Sequence, residues 1–401
     1  MSINAQDIVT SDPLEVSQED IAYEIFSWLP AKTIFKFKLT CSSFSKFQEE
    51  SHFKTKQFCN MLVKSDTCFF LQHDQISQRY QKRIELHHLP KEQQFSCVPN
   101  NILTFLSNSA IVVASSNGLL LCYTINDDPV ELFICNPITK SFFSIPSPES
   151  LRKNHRFSNI NLMLNCSDDS SDDYLIFLFE NTLDWSPNSY VCNIYHGKEG
   201  VWRTMENNFL CGGRNMKFEM SVFHNGALHF ISDCSNYFTR FSPFYKPYIM
   251  AYDFVKGTST IIKLPREAIK GFHAECNMGI FNWGKVTSSN RSICLVKSTR
   301  SVFTIWFLKD YKSCLWQKIL KVRVNALGLK EKDAHVTGFT IMNGKDLVFS
   351  TEQKIYSCGL DGETFMMAEE IGSHSCGSNP YFMSYSNTLR PCGTNVQTMP
   401  C

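Results

Sequence analysis

Ser116-Asn117-Gly118-Leu119-Leu120-Leu121-Cys122 is the stretch that decides the fold: an Asn-Gly pair followed at once by an apolar run. Both residues of such a pair tolerate positive φ, so the pair specifies a tight type I′ hairpin whose second strand is the apolar run. The unit returns at Asn225-Gly226-Ala227 and at Asn343-Gly344. A second unit is a strand, a polar turn and a strand that closes on proline. It runs from Ile134-Cys135-Asn136-Pro137-Ile138-Thr139-Lys140 to Ile145-Pro146, and again from Ala251-Tyr252-Asp253 to Leu264-Pro265. A third unit ends in an aromatic anchor, Tyr190 to Trp202-Arg203-Thr204-Met205, and is repeated as Phe303 to Trp316-Gln317-Lys318-Ile319.

These units alternate roughly every 50 to 60 residues, the length of one four-stranded propeller blade of the kelch kind. About six blades are expected, starting near residues 67, 110, 160, 218, 276 and 335, with Pro380 to Leu389 adding a last strand to the first blade and closing the ring. A pair of β-sandwiches is the competing architecture, because kelch blades carry a Gly-Gly doublet and this chain has one only at Gly212-Gly213. Trp202, Trp306 and Trp316 read as blade anchors rather than ligand stackers, since two of them recur at matching repeat positions.

Upstream of the repeats the period is helical. Ser17 with Asp20 three residues on is a capping pattern, and Ile21, Ile25 and Leu29 follow at i, i+4 and i+8 on one face. Pro30 stops that helix, a second covers Ala31 to Leu39 with Ile34 and Phe37 on one side, and a third starts near Ser43 and carries Phe44 and Phe47. Three short helices cannot bury all their apolar side chains, so the unit calls for a partner. The expected fold is mostly β with an N-terminal α unit. A flexible start (1–14) precedes the helical unit (15–55), a linker (56–66), a kelch-like β-propeller of about six blades (67–390) and a tail (391–401).

Net charge is +1 and charged residues make up 19% of the chain, a balance that asks for neither nucleic acid nor an anionic membrane as partner. The 17 cysteines are scattered without a C-x-x-C pair, which reads as free, mostly buried thiols in a reducing compartment, cytoplasm or nucleus. No signal-peptide core interrupts the polar start, and no run approaches transmembrane length.

The stretch from Val16 to Lys38 resembles the F-box of plant F-box proteins, with Glu24-Ile25, Leu29-Pro30, Lys32 and Phe37-Lys38 as direct matches. The downstream chain is similar to the F-box-associated, kelch-type domain of the same family. The matching fragments are Ser116 to Leu120, Cys135 to Lys140, Trp202-Arg203, Asn225-Gly226-Ala227-Leu228-His229 and Leu308-Lys309-Asp310-Tyr311, in the family's order. The sequence departs where the family opens on Leu-Pro, which is Val16-Ser17 here, and where its tryptophan is Phe44.

The resemblance implies a substrate-recognition subunit of a Skp–cullin–F-box ubiquitin ligase, without catalytic residues, cofactor or metal of its own. Its helical unit would dock a Skp-type adaptor and through it a cullin and a RING protein, while the propeller holds an unknown target protein. The adaptor-docking set is Val16, Ser17, Ile21, Ile25, Leu29, Pro30, Ile34, Phe37 and Phe44. Target contacts are sought in the loops Ser147 to Phe157, Asn207 to Lys217, Asp233 to Lys246 and Arg266 to Glu275. Among these Tyr237, Phe238, Arg240, Phe244 and Tyr245 have the composition of an interface hot spot.

Two alternatives remain open: an F-box/propeller scaffold outside any ligase, and a propeller-fold metalloenzyme. Against the second, the 11 histidines show no metal-binding spacing, adjacent His87 and His88 point to opposite faces of a strand, and His224 with His229 reads as a surface pair beside a turn. The run Asp168 to Asp173 lacks the glycine and spaced ligands of a calcium loop and reads as a solvated inter-blade loop.

Overall fold

The structure is a computed structural model of the 401-residue chain. It describes residues 17–38, 46–47, 49–64, 68–73, 84–90, 98–124, 131–148, 151, 160–166, 173–181, 189–235, 238–272, 276–284, 291–299, 301–331, 334–360, 367–376, 380–393 and 395–399.

Asn117, Asn225 and Asn343 have φ of 47°, 49° and 54°, and Gly118, Gly226 and Gly344 have 87°, 73° and 65°. All three pairs therefore form the primed hairpin turns that the Asn-Gly chemistry specifies. Each joins the first two strands of an antiparallel blade, and six such blades form the β region. From the axis outward, blade 2 is Ala110–Ser116, Leu119–Thr124, Leu132–Asn136 and Ser141–Ile145. Blade 3 is Ile160–Cys166, Tyr174–Asn181, Ser189–His196 and Val201–Thr204, with Phe209–Leu210 added on its third strand. Blade 4 is Met216–His224, Ala227–Ser232, Ile249–Asp253 and Thr258–Ile262. Blade 5 is Asn277–Trp283, Ser292–Thr299, Val302–Asp310 and Leu315–Arg323, and blade 6 is Gly338–Met342, Asp346–Ser350, Lys354–Gly359 and Glu369–Ser373.

Blade 1 joins the two ends of the ring. Tyr381–Tyr385 is its innermost strand and pairs antiparallel with Cys68–Gln72, which in turn pairs with Ile84–His88. The expected last strand between Pro380 and Leu389 is this one. The innermost strands of the six blades neighbour each other around a closed circle. The expected tail is not free of the fold, because Gln397–Thr398 adds to the outer edge of blade 2.

Each gap between successive blades holds an apolar core, so second strands are covered on both faces. This is why Cys68–Gln72, Leu119–Thr124 and Ala227–Ser232 are buried almost end to end and largely apolar rather than alternating. Outer strands meet water and carry polar residues, as in Leu315–Arg323. Trp202 and Trp316 fix neighbouring blades together. Trp202 Nε1 donates to Pro146 O at 2.6 Å, and Trp316 Nε1 donates to Lys263 O at 2.9 Å. Each indole thus reaches back to the end of the preceding blade's outer strand, which explains why the aromatic and proline-closed units alternate. Trp306 is buried between blades 4 and 5, as expected of an anchor.

Helices α1 (Gln18–Ser27), α2 (Ala31–Lys38) and α3 (Ser51–Lys64) form the N-terminal unit, and α4 (Asn100–Ser109) links blades 1 and 2. Ser17 caps α1: its Oγ accepts from Asp20 N at 3.1 Å while Ser17 N donates to Asp20 Oδ2 at 3.2 Å. The expected break between helical unit and linker at residues 55 and 56 falls inside α3, which continues unbroken across it. Residues 46–47 are helical, as expected of the third helix, but Phe44 lies outside the described residues. No helix among the described residues is long and apolar enough to cross a membrane. The described cysteines are mostly buried, and burial pushes the Cys192 thiol up to about 12.

Candidate interaction surfaces

α3 clamps α1 through polar contacts along one side. Lys56 pairs with Glu24, Asn60 Nδ2 donates to Ser27 Oγ at 2.8 Å, and Gln57 Nε2 donates to Leu29 O at 3.1 Å. The other end of the Gln57 amide accepts from Leu389 N at 2.9 Å, so one buried side chain joins the helical unit to the segment that follows the closing strand. Arg390 lies with its guanidinium carbon 4.4 Å from the Phe58 ring centre and donates to Asp173 O at 2.8 Å. Asn136 Nδ2 donates to Thr388 O and Arg390 O at 3.0 and 2.8 Å. The helices are therefore seated on blades 1 and 2 rather than hung from a flexible tether.

That seating sorts the expected docking set. Ala31, Ile34 and Phe53 belong to the core shared with blades 1 and 2, and Leu29 packs against it. Ile34 is 2% exposed and is withdrawn from the docking face by that burial. Pro30 is half-buried, its carbonyl accepting from Thr33 N and Ile34 N as α2 starts. Ser17 is exposed and engaged as a cap, and Val16 lies outside the described residues. Ile21, Ile25 and Phe37 remain open at 50%, 57% and 39% exposure, joined by Trp28 at 39%. Trp28 was absent from the sequence expectation. Its signal is its position, seven residues after Ile21 and three after Ile25, on the same helical face.

A second surface lies at the other end of the ring. The Asn-Gly turns, the segment after Tyr385 and α3 share one end, since Thr388 Oγ1 donates to Asn117 O at 3.2 Å. In blade 4 the chain turns at Asn225-Gly226 and runs back through Ala227–Ser232, so the connection from Asp233 to Tyr248 emerges at the opposite end. Arg214 organises it. This guanidinium is fully buried and donates to Phe244 O at 2.7 Å, Asp233 O at 3.1 Å, Asp233 Oδ1 at 3.2 Å, Ser235 O at 3.0 Å and Tyr245 O. Phe238 and Phe272 flank it, each ring centre 5.6 Å away. Gly212, at φ 86°, lies so close beneath the loop that a Cβ would fall 2.7 Å from Phe244 Cε1 and 2.8 Å from Tyr248 Oη. The Gly-Gly doublet thus makes room for this loop.

The expected target residues divide accordingly. Phe238, Phe244 and Tyr245 are half-buried struts, Tyr245 lying 5.4 Å from Phe272 between ring centres. Arg240 is exposed, and Tyr237 lies outside the described residues. Phe241 is 99% exposed and was not singled out from the sequence, where nothing distinguishes it from its buried aromatic neighbours.

A cavity of about 740 Å³ occupies the axis; its lining includes Asn117, Cys166, His196, Asn282, Ser386 and Met61 of α3. Tyr381 OH donates to Glu219 O at 3.0 Å across the ring, joining blades 1 and 4. Among the described residues no group of three or more His, Cys, Asp or Glu could hold a metal ion. The expected surface pair His224 and His229 is corrected: the rings approach to 6.1 Å, but His229 is fully buried. His229 Nδ1 donates to Val222 O at 3.2 Å, which leaves Nε2 to accept from Tyr311 OH at 2.8 Å. Burial lowers its pKa to about 4, keeping the ring neutral. His87 bonds Glu85 at 3.1 Å instead of acting with His88. Of Asp168 to Asp173 only Asp173 is described, and most of Ser147 to Phe157 also lies outside the described residues.

Six antiparallel blades in a closed ring, with a helical unit fixed to one end, define a mostly β six-bladed propeller. Comparison with known proteins gives it a family. Residues 67–336 match the family described as F-box protein At3g26010-like, beta-propeller, and the chain belongs to that family. It is similar to the Arabidopsis thaliana F-box protein At5g49610, at 23% identity over 324 residues, covering 77% of this chain and 79% of that protein. It is also similar to the Arabidopsis thaliana F-box protein At5g07610, at 26% identity over 227 residues, covering 53% and 50%. The name of a third relative, At3g17280, carries both F-box and kelch-repeat; there the identity is 26% over 47% of this chain and 46% of that protein. Among solved structures the Dos1 propeller covers 73% of this chain and 66% of its own at 9% identity and a TM-score of 0.36.

Proposed function

We propose that this chain is the substrate-recognition subunit of a Skp–cullin–F-box ubiquitin ligase. One observation carries the reading: Ile21, Ile25, Trp28 and Phe37 stay exposed on a helical unit that buries Ala31, Ile34 and Phe53 in the core shared with the propeller. That leftover face is what a Skp-type adaptor would cover, and membership of an F-box protein family supports the assignment. The chain itself performs no chemistry in this scheme. A conjugating enzyme recruited through adaptor, cullin and RING protein supplies the thioester, and the propeller presents a bound protein to it. Rate then comes from holding lysine and thioester together, so the rigid seating of the helices matters as much as the docking face. The target is held at the end of the ring opposite the helices, and the complex works in the cytoplasm or nucleus.

The test is affinity purification of the tagged chain from plant cells treated with inhibitors of the proteasome and of cullin modification. A Skp-type adaptor and a cullin should co-purify, together with a client that accumulates ubiquitin. Recovery of a propeller partner with neither adaptor nor cullin would favour a scaffold that never enters a ligase.

A further inference from the structure

We infer that the ledge Phe238–Lys246 docks an acidic peptide segment bearing an aromatic or aliphatic side chain, which packs against Phe241. The inference deepens the proposed function by giving the chemistry of the protein held there. The ledge is built before anything binds. Its backbone closes on itself through Ser242 N to Thr239 O at 3.0 Å and Tyr245 N to Ser242 O at 3.1 Å, and Phe244 N donates to Ser242 Oγ at 3.1 Å. Arg214 takes up the loop's inward carbonyls, and Tyr248 OH closes the far end on Cys211 O at 2.6 Å. The backbone that carries the 99%-exposed Phe241 ring is therefore ordered in advance, so a partner has only the ring's own rotamer left to fix.

Among the described residues, the charges within the ledge have one sign. Arg240 and Lys246 flank Phe241, Lys270 stands two residues before the Phe272 that packs on Tyr245, and all three are exposed. None of the three makes an ion pair among the described residues. The segment 238–248 contains no acidic residue. Of the described acids in the two adjoining loops, Asp233 is paired with Arg214 at 3.2 Å, and Glu267 with Lys318 and Lys321 at 2.9 and 3.1 Å. Unpaired cations around an exposed aromatic complement a carboxylate-rich segment with an apolar residue among its acids.

The experiment presents the full-length protein with a random decapeptide library displayed on beads and sequences the retained peptides. Retained peptides should carry Asp or Glu on both sides of an aromatic or aliphatic residue. Phe241→Ser should lower that enrichment about tenfold, as loss of a central aromatic anchor does. Arg240→Glu with Lys246→Glu should abolish it or invert it toward basic peptides. Phe241 touches no core, so thermal unfolding of the serine variant should match the parent. Enrichment without acidic character, none at all, enrichment that survives both variants, or capture by phosphatidylserine vesicles in its place would each overturn the inference. Capture of a purified Skp-type adaptor is read on the same samples. If the adaptor fails to bind while acidic peptides are retained, the ligase reading fails and the ledge assignment stands.

Discussion

Ile25 on α1 is 57% exposed and Phe241 on the ledge is 99% exposed, yet what lies beneath them differs. Under Ile25 is a helical unit that has already spent Ala31, Ile34 and Phe53 on the propeller core and keeps a spread of apolar side chains in water. Under Phe241 is a loop with a single protruding ring, held by one buried guanidinium. The first surface is open because its element is too small to close over itself; the second is open because a polar scaffold props it up. An exposed apolar side chain is informative only together with the groups that keep it exposed.

The comparison breaks most readily at Arg214. Arg214→Met leaves several buried carbonyls and Asp233 without their donor, and should cost about 3–5 kcal/mol in denaturant unfolding. If stability is unchanged, the ledge is not scaffolded as described. At the other rim of blade 4, His229 gives a pH signature. Its folded pKa of about 4 lies below the usual histidine value, so the unfolded chain takes up a proton first as pH falls. Stability should be fully present above about pH 6.5 and fall by on the order of 2–3 kcal/mol as pH drops to about 4. His229→Gln should flatten that part of the curve measured by chemical unfolding. A smaller effect separates two hairpins of the same type. A Cβ on Gly118 would meet Thr388 Oγ1 at 2.0 Å and Ser386 O at 2.9 Å, whereas one on Gly226 meets nothing within 4 Å. Gly118→Ala should cost about 2–3 kcal/mol and Gly226→Ala about 1 kcal/mol, both by thermal or denaturant midpoints. Smallest of all, Ile25→Asp should change stability by no more than about 0.5 kcal/mol, because Ile25 is 57% exposed.

The propeller was legible because its turns are chemically explicit. An Asn-Gly pair tolerates the positive φ at both positions that a type I′ turn demands, and the alternation of Trp202 and Trp316 with proline-closed strands follows from an indole hydrogen bond between blades. The closing strand Tyr381–Tyr385 falls within Pro380 to Leu389, the segment expected to add to the first blade. The fate of the docking helices was harder to read. Ile34 and Phe37 both lie on α2, yet one meets blades 1 and 2 and the other meets water, a distinction made by chain hundreds of residues away. His229 misled for the same reason: its burial comes from Tyr311 in the next blade, which no local pattern announces. Arg214 escaped notice because an arginine beside a Gly-Gly doublet looks like a solvated turn. Only the returning loop reveals that it is enclosed.

The central claim is that the open face of α1 and α2 belongs to a Skp-type adaptor. Isothermal titration of purified full-length protein with a purified plant Skp-type adaptor tests it most directly, run alongside Ile25→Asp and Phe241→Ser. One adaptor per chain is expected for the parent and for Phe241→Ser, with binding lost in Ile25→Asp although its unfolding curve is unaltered. Heat of binding that is absent with the parent protein, or equal for Ile25→Asp, would contradict the account.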